Sequence, residues 1–380
     1  MKKISVISTN RADYGLLSGL IKLIKKEKKL QLNFIVTGSH LDKTYGYTIN
    51  EIVKDKIKPD VKIKILLKAR NAQEIIKTMN VYSEKFSKVF KENKPDILLV
   101  LGDRYEVFSI VLSAYLNKIP IAHLYGGEVT QGAMDDFFRH SISKASQYHF
   151  VAHKDYAKRL IQLGEDKKNI YTVGSLGCEN IKNDNLKKLK ELEKNLNFRF
   201  NKKNILVAFH PETLDKNNGI NGLKTLLSSL ENLKDTNIIF TGTNPDLDNS
   251  KINSLIKSFI KKNKYSKIFY SMGRINYLST LKHVNLLIGN SSSGIIEAPS
   301  VNTPSINLGD RQKGRICGSS VINIEFNKKL IKKNIKKILL VNKKNKIINP
   351  YFQKNTSRKI ISVLKNIKIK NTVKKKFIDI

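Results

Sequence analysis

Carboxylates, imidazoles and guanidiniums gather at the ends of two apolar runs between residues 97 and 140. The run Ile97 to Leu101 ends in Gly102-Asp103-Arg104, and the run Ile119 to Leu124 ends in Tyr125-Gly126-Gly127-Glu128. A short loop then delivers Asp135, Asp136, Arg139 and His140. Asp103, Glu128 and Asp135 are candidates for a carboxylate cluster. Crowding raises the pKa of one member, which then holds a proton at neutral pH while another acts as base. Metal binding is the competing use of such a cluster. No HExxH or DxDxDG spacing is present, so acid–base chemistry is the preferred reading and no metal is expected. Arg139 is a candidate for holding an anionic substrate.

Other candidates follow the same strand-end rule. Arg11 lies after the strand pattern Lys3 to Thr9 and ahead of the amphipathic run Leu16 to Ile24. Free N–H groups and the positive dipole end of a helix suit phosphate there, and a guanidinium fork suits diphosphate. His40 lies just past a second strand, Leu32 to Thr37. His210 follows the strand Asn204 to Phe209, with Pro211 ending it, and suits proton transfer or phosphate contact. After the strand Val284 to Ile288 comes Gly289-Asn290-Ser291-Ser292-Ser293-Gly294, then a helix expected from Ile295 with Glu297 in its first turn. The small residues of Asn290 to Ser293 let a pyrophosphate approach the backbone, and Glu297 is placed to accept both hydroxyls of a ribose. His140, His149, His153 and His283 read as structural.

These residues require strands that alternate with helices. Further strands are expected at Val61 to Leu66, Tyr148 to Ala152, Ile170 to Val173, Asn237 to Thr241 (ending in Gly242-Thr243-Asn244), Lys267 to Tyr270, Thr303 to Leu308 and near Val321 to Ile324. The fold class is therefore α/β, with parallel sheets covered by helices. At 380 residues two domains are the default. Residues 1–178 form the first strand–helix domain and carry the carboxylates, residues 179–203 are a polar connection, residues 204–350 form the second, and residues 351–380 are a C-terminal helix and basic tail. A substrate cleft facing both domains is the expected site.

Composition narrows the class. The net charge of +38 is spread as dispersed lysines in a Lys-, Ile- and Asn-heavy chain, with no nucleic-acid motif, so no nucleic-acid partner is expected. No apolar run is long enough for a transmembrane span, and MKKISVIS enters a strand pattern without a signal peptide's apolar core. A cytoplasmic location and no membrane partner are the expectations. Cys178 and Cys317 form no CxxC pattern, and GxGxxG and Walker A patterns are missing, which argues against a dinucleotide cofactor and ATP hydrolysis.

The stretches TNRADYGLL (9–17), GDRYE (102–106), HLYGGEVTQGAMDDFFRHSISK (123–144), FHPET (209–213) and GNSSSGIIEAP (289–299) resemble the UDP-N-acetylglucosamine 2-epimerase family, and more narrowly its hydrolysing branch of sialic and legionaminic acid synthesis. The resemblance implies two Rossmann-like domains of glycosyltransferase-B type, a UDP-sugar substrate, no cofactor and a homodimer. It implies elimination of UDP to a 2-acetamidoglucal, then hydration to N-acetylmannosamine. Arg11 matches the diphosphate-contacting arginine, and Asp103, Glu128 and Asp135 match or neighbour the proton-transfer carboxylates. His210 matches the second-domain histidine near the phosphates, Ser291 and Ser292 the phosphate-holding serines, and Glu297 the ribose-binding glutamate. Tyr125 stands where some relatives carry a glutamate. Asp13-Tyr14-Gly15 stands where the non-hydrolysing branch has a lysine. The same chemistry on UDP-2,4-diacetamido-2,4,6-trideoxyglucose is the alternative reading, followed by a glycosyltransferase of the same fold.

Overall fold

A computed structural model describes residues 1–66, 71–217, 219–242, 249–340, 347–369 and 373–379. Thr243 and Asn244, read above as a strand end, lie outside the described residues. The chain forms two compact units. The first comprises Met1–Glu128, Asp135–Asn180 and Tyr351–Ile380; the second comprises Val129–Met134 and Ile181–Pro350.

In chain order the first unit alternates β1 (Lys2–Ser8), α1 (Arg11–Lys26), β2 (Leu30–Thr37), α2 (Ile49–Lys54), β3 (Val61–Ile63), α3 (Ala72–Glu92), β4 (Ile97–Leu101), α4 (Tyr105–Leu116), β5 (Ile121–Leu124), α5 (Asp135–Ala145), β6 (Tyr148–Val151), α6 (Lys154–Gln162) and β7 (Ile170–Thr172). The helix α7 (Leu176–Asn183) spans the change of unit, and α8 (Leu189–Leu196) follows it. The second unit continues with β8 (Lys203–Ala208), α9 (Ile220–Leu230), β9 (Thr236–Thr241), α10 (Asn249–Lys262), β10 (Ser266–Phe269), α11 (Arg274–His283), β11 (Leu286–Gly289), α12 (Ser293–Ile296), β12 (Ser305–Leu308), β13 (Val321–Ile324) and α13 (Lys328–Leu340). The helix α14 (Thr356–Asn366) belongs to the first unit.

Both sheets are parallel, ordered β3-β2-β1-β4-β5-β6-β7 and β10-β9-β8-β11-β12-β13. The buried runs follow from this. A parallel strand covered on both faces is apolar at every position. Along β4, Ile97, Leu99 and Leu101 join one core layer with α1 and α14, while Leu98 and Val100 join another with α3 and α4. In β8, Ile205 and Val207 face one layer, Leu206 and Ala208 the other. Fully burying each large apolar side chain contributes roughly 1.5–3 kcal/mol.

Three sequence expectations are corrected here. The first helix starts at Arg11, ahead of Leu16, because the Asn10 side chain accepts from the Asp13 N–H at 3.0 Å and caps it there. The strand expected over Val61 to Leu66 ends at Ile63. The helix expected from Ile295 begins at Ser293 and is only four residues long, so Glu297 stands at its C-terminal end and not in its first turn.

Candidate functional site

In each sheet the strand order reverses at one place, between β1 and β4 and between β8 and β11. Ligands of open α/β sheets bind beyond the carboxyl ends of strands at such switch points. Arg11 and Asp103 follow β1 and β4; His210 and Asn290 follow β8 and β11.

In the first unit, Gly102 turns the chain out of β4 at φ 88°, a conformation that suits glycine, and presents Asp103. The Asp103 carboxylate is ion-paired with Arg139 of α5. Arg139 also donates to Asp136 Oδ1 at 3.0 Å and to the Glu128 carbonyl at 3.3 Å. Its side chain is 1% exposed, against 24% for Asp103. The guanidinium expected to meet a ligand is thus occupied by protein acceptors, and it fixes the ends of β4 and β5 and the start of α5 relative to one another. Glu128 is buried and Asp135 partly exposed at the first residue of α5.

His123, buried in β5, was not singled out from sequence. Its Nε2 lies 2.7 Å from the Gly102 carbonyl and its Nδ1 lies 3.0 Å from Ser143 Oγ. A carbonyl only accepts, so Nε2 carries the proton and Ser143 donates to Nδ1. Burial lowers the His123 pKa to about 3, so the ring is neutral and braces the residue preceding Asp103. His40 is equally buried, with Ser8 Oγ at 2.9 Å and Thr48 Oγ1 at 2.8 Å taking both ring nitrogens; burial lowers its pKa to about 4. The structure therefore places His40 among internal partners behind β1. Arg11 is partly exposed at the first position of α1. Asp13, two residues on, accepts from Thr9 Oγ1 at 2.6 Å and Asn10 Nδ2 at 2.8 Å, and burial raises its pKa to about 6. Tyr125 adopts φ 67° and its hydroxyl meets Ser175 Oγ at 3.0 Å.

In the second unit, Asn290 locks two loops together. Its Oδ1 accepts from the His210 N–H at 2.7 Å, and its Nδ2 donates to the His210 carbonyl at 2.9 Å. Its own carbonyl accepts from Arg311 Nη1 and Gln312 Nε2, each at 3.1 Å. Asn290 is fully buried, which makes it the brace of the loop. Arg311 brings a guanidinium to the Asn290 carbonyl, and its signal, Gly309-Asp310-Arg311 after β12, was visible in the sequence as one more strand end. Ser291 and Ser292 are partly exposed, whereas Ser293 is buried and accepts from the Tyr277 hydroxyl at 2.6 Å. Glu297 is hydrogen-bonded to Ser293, and burial raises its pKa, opposed by that bond and by Arg274. Among the described residues no group of three or more His, Cys, Asp or Glu is arranged to hold a metal ion, and no helix is long and apolar enough to cross a membrane.

The pattern of the family described as UDP-N-acetylglucosamine 2-epimerase matches residues 22–365. The chain belongs to the UDP-N-acetylglucosamine 2-epimerase family. Its relatives place it on the hydrolysing side. It is 43% identical over 327 residues, 86% of this chain and 85% of the relative, to the hydrolysing GDP/UDP-N,N'-diacetylbacillosamine 2-epimerase of Campylobacter jejuni. It is 38% identical to polysialic acid biosynthesis protein P7 of Escherichia coli, covering 100% of this chain and 98% of that one. Among solved structures, UDP-GlcNAc 2-epimerase from Neisseria meningitidis bound to UDP-GlcNAc superposes with TM-score 0.79 at 19% identity, covering 96% and 99% of the two chains. That likeness shows the fold shared by this 2-epimerase family member, two Rossmann-like domains of glycosyltransferase-B type.

Proposed function

We propose that the protein is a hydrolysing 2-epimerase that converts UDP-N-acetylglucosamine and water to N-acetylmannosamine and UDP. The observation that carries this reading is the Asp103 carboxylate, partly exposed at a switch point and held by a buried arginine. In the first half-reaction a carboxylate takes the C2 proton as the C1–O bond to UDP breaks, leaving a 2-acetamidoglucal. In the second, water oxygen bonds to C1 and C2 takes a proton on the opposite face. A C2 proton is weakly acidic, so base and leaving group must act together. Asp103, Glu128 and Asp135 are assigned the proton transfers. Arg11, His210, Arg311 and the Ser291–Ser293 segment are assigned the diphosphate, whose developing charge they stabilise. Glu297 is assigned the ribose, with Ser293 orienting it. Arg139, His40 and Asn290 are assigned to holding these groups in place.

A second reading is the same chemistry on UDP-2,4-diacetamido-2,4,6-trideoxyglucose, favoured by the name and 43% identity of the Campylobacter jejuni relative. Proton NMR of the enzyme with each UDP-sugar in D₂O separates them. UDP release with C2-deuterated N-acetylmannosamine supports the first, turnover of only the diacetamido sugar supports the second, and silence with both refutes hydrolytic 2-epimerisation. We further infer a homodimer, because α4 and α5 leave Leu112, Leu116 and Phe137 43%, 70% and 65% exposed; light scattering showing a monomer refutes it.

A further inference from the structure

Beyond α14, residues 373–378 lie as a strap on the first unit. The Val373 carbonyl accepts from Gln147 Nε2 at 3.1 Å, and the Ile378 N–H donates to the Gly164 carbonyl at 3.1 Å. Phe377 packs on Gly164, and Lys144 Nζ stands 4.4 Å above its ring. Between them Lys375 turns inward. Its ammonium donates to Glu165 Oε2 and to the Ser146 carbonyl at 2.8 Å, with the Ser143 carbonyl at 3.5 Å. Glu165 is buried and also meets His149 Nε2 at 3.0 Å and Lys144 Nζ at 3.2 Å.

Ser143 lies in the last turn of α5 and Ser146 just past its end, where the Ser143 carbonyl also accepts from the Ser146 N–H at 3.0 Å. The last carbonyls of a helix lack intrahelical partners, and a cation there is favourable. Lys375 supplies that cation from 229 residues away in sequence. The helix it fastens is the one that sets Asp103. Arg139 of α5 pairs with Asp103, and Ser143 of α5 braces His123, which holds the Gly102 carbonyl. We propose that the strap Val373–Ile378 is a positioning element of the reaction, in which Lys375 fixes the end of α5 and, through Arg139 and His123, the carboxylate of Asp103.

The proposal rests on the 2-epimerase reading, and two readouts on the full chain keep them apart. Lys375→Met should lower kcat about tenfold or more, since small misplacements of reacting groups are costly. UDP affinity should stay within about twofold, because the nucleotide is assigned to Arg11 of α1 and to residues of the second unit, none of which lies on the strap or on α5. Amide hydrogen exchange should quicken over residues 102–104 and 135–146. Lys375→Arg, which keeps the cation, should return kcat to within about threefold. If Lys375→Met does not fold, Lys375→Gln takes its place with the same readouts. A kcat within about twofold of the parent, with only a lower melting temperature, overturns the proposal and leaves the strap as a stabiliser. Unchanged exchange over those residues overturns it equally. Should the parent turn over neither UDP-sugar, the 2-epimerase reading fails by itself, and the exchange comparison alone decides whether the strap positions Asp103.

Discussion

Acid should destabilise this protein well above the pH at which an ordinary carboxylate titrates. His40 and His123 are both 0% exposed, with pKa values lowered by burial to about 4 and about 3. In the unfolded chain each titrates near 6.5, so between that value and the folded one the unfolded state binds more protons and stability rises with pH. The stability these neutral rings contribute is fully present above about 6.5 and drains away below it. Moving from about pH 7.5 to about pH 5 costs each ring about 1.5 pH units of protonation in the unfolded state alone, or about 2 kcal/mol, and about 4 kcal/mol for the pair. His149, also lowered by burial, adds in the same direction, whereas Glu212 and Glu297, raised by burial, offset part of it; Glu165, held below the usual carboxylate range, acts only below this window. Asp13 acts oppositely. Raised to about 6, it gains its proton first in the folded state and returns about 1 kcal/mol as pH falls. The expected net loss is about 3 kcal/mol, a large part of a typical native stability. Urea titrations followed by far-UV circular dichroism suit a chain with no tryptophan. The double variant His40→Asn, His123→Asn should be less stable at neutral pH and lose most of the pH dependence over this window. A loss under about 1 kcal/mol in the parent over this window, or an unchanged slope in the double variant, would refute the reasoning.

Asp103→Asn keeps the shape but not the base, and should lower kcat by about 10²–10⁴ while calorimetric UDP affinity stays within about threefold; loss of UDP binding would instead make Asp103 a nucleotide contact. Glu297→Ala should weaken UDP binding about ten- to a hundredfold, the worth of a charge-assisted hydrogen bond, and an unchanged dissociation constant would remove it from the ribose site. Gly289→Ala should cost about 3 kcal/mol or more, because Gly289 has φ 142° and an added Cβ would stand 2.0 Å from the Ala208 carbonyl; a variant of parental stability would contradict the β8–β11 geometry.

Much of the fold was legible because parallel strands carry their burial in plain apolar runs, as Ile97 to Leu101 does. The strand-end rule likewise located Asp103, His210 and Asn290. Side-chain allegiance was less legible. Arg139, His40 and Ser293 carry the atoms a ligand needs, but their partners come from elements far away in sequence, and spacing alone does not say that those atoms are already engaged. His123 escaped notice for the converse reason, since a histidine inside an apolar strand has no local signal of what it braces. The short α12 was misplaced because three serines and a glutamate fit a helix start in more than one register.

The first unit is discontinuous, and this sets an order of assembly during synthesis. Its α1 face, with Leu17, Leu20, Ile21 and Ile24, is covered by Ile360, Ile361 and Leu364 of α14, and Lys2 Nζ donates to the carbonyls of Leu364 and Ile367 at 3.2 and 2.6 Å. From Asn180 to Asn366 there are 366 − 180 = 186 residues still to be made. At about 5–20 residues per second the ribosome needs about 10–40 s for them. The second unit, whose early segment 129–134 has by then been made, can close before the first. The first unit therefore cannot be completed until α14 has been made, and until then the apolar face of α1 lacks the side chains that cover it.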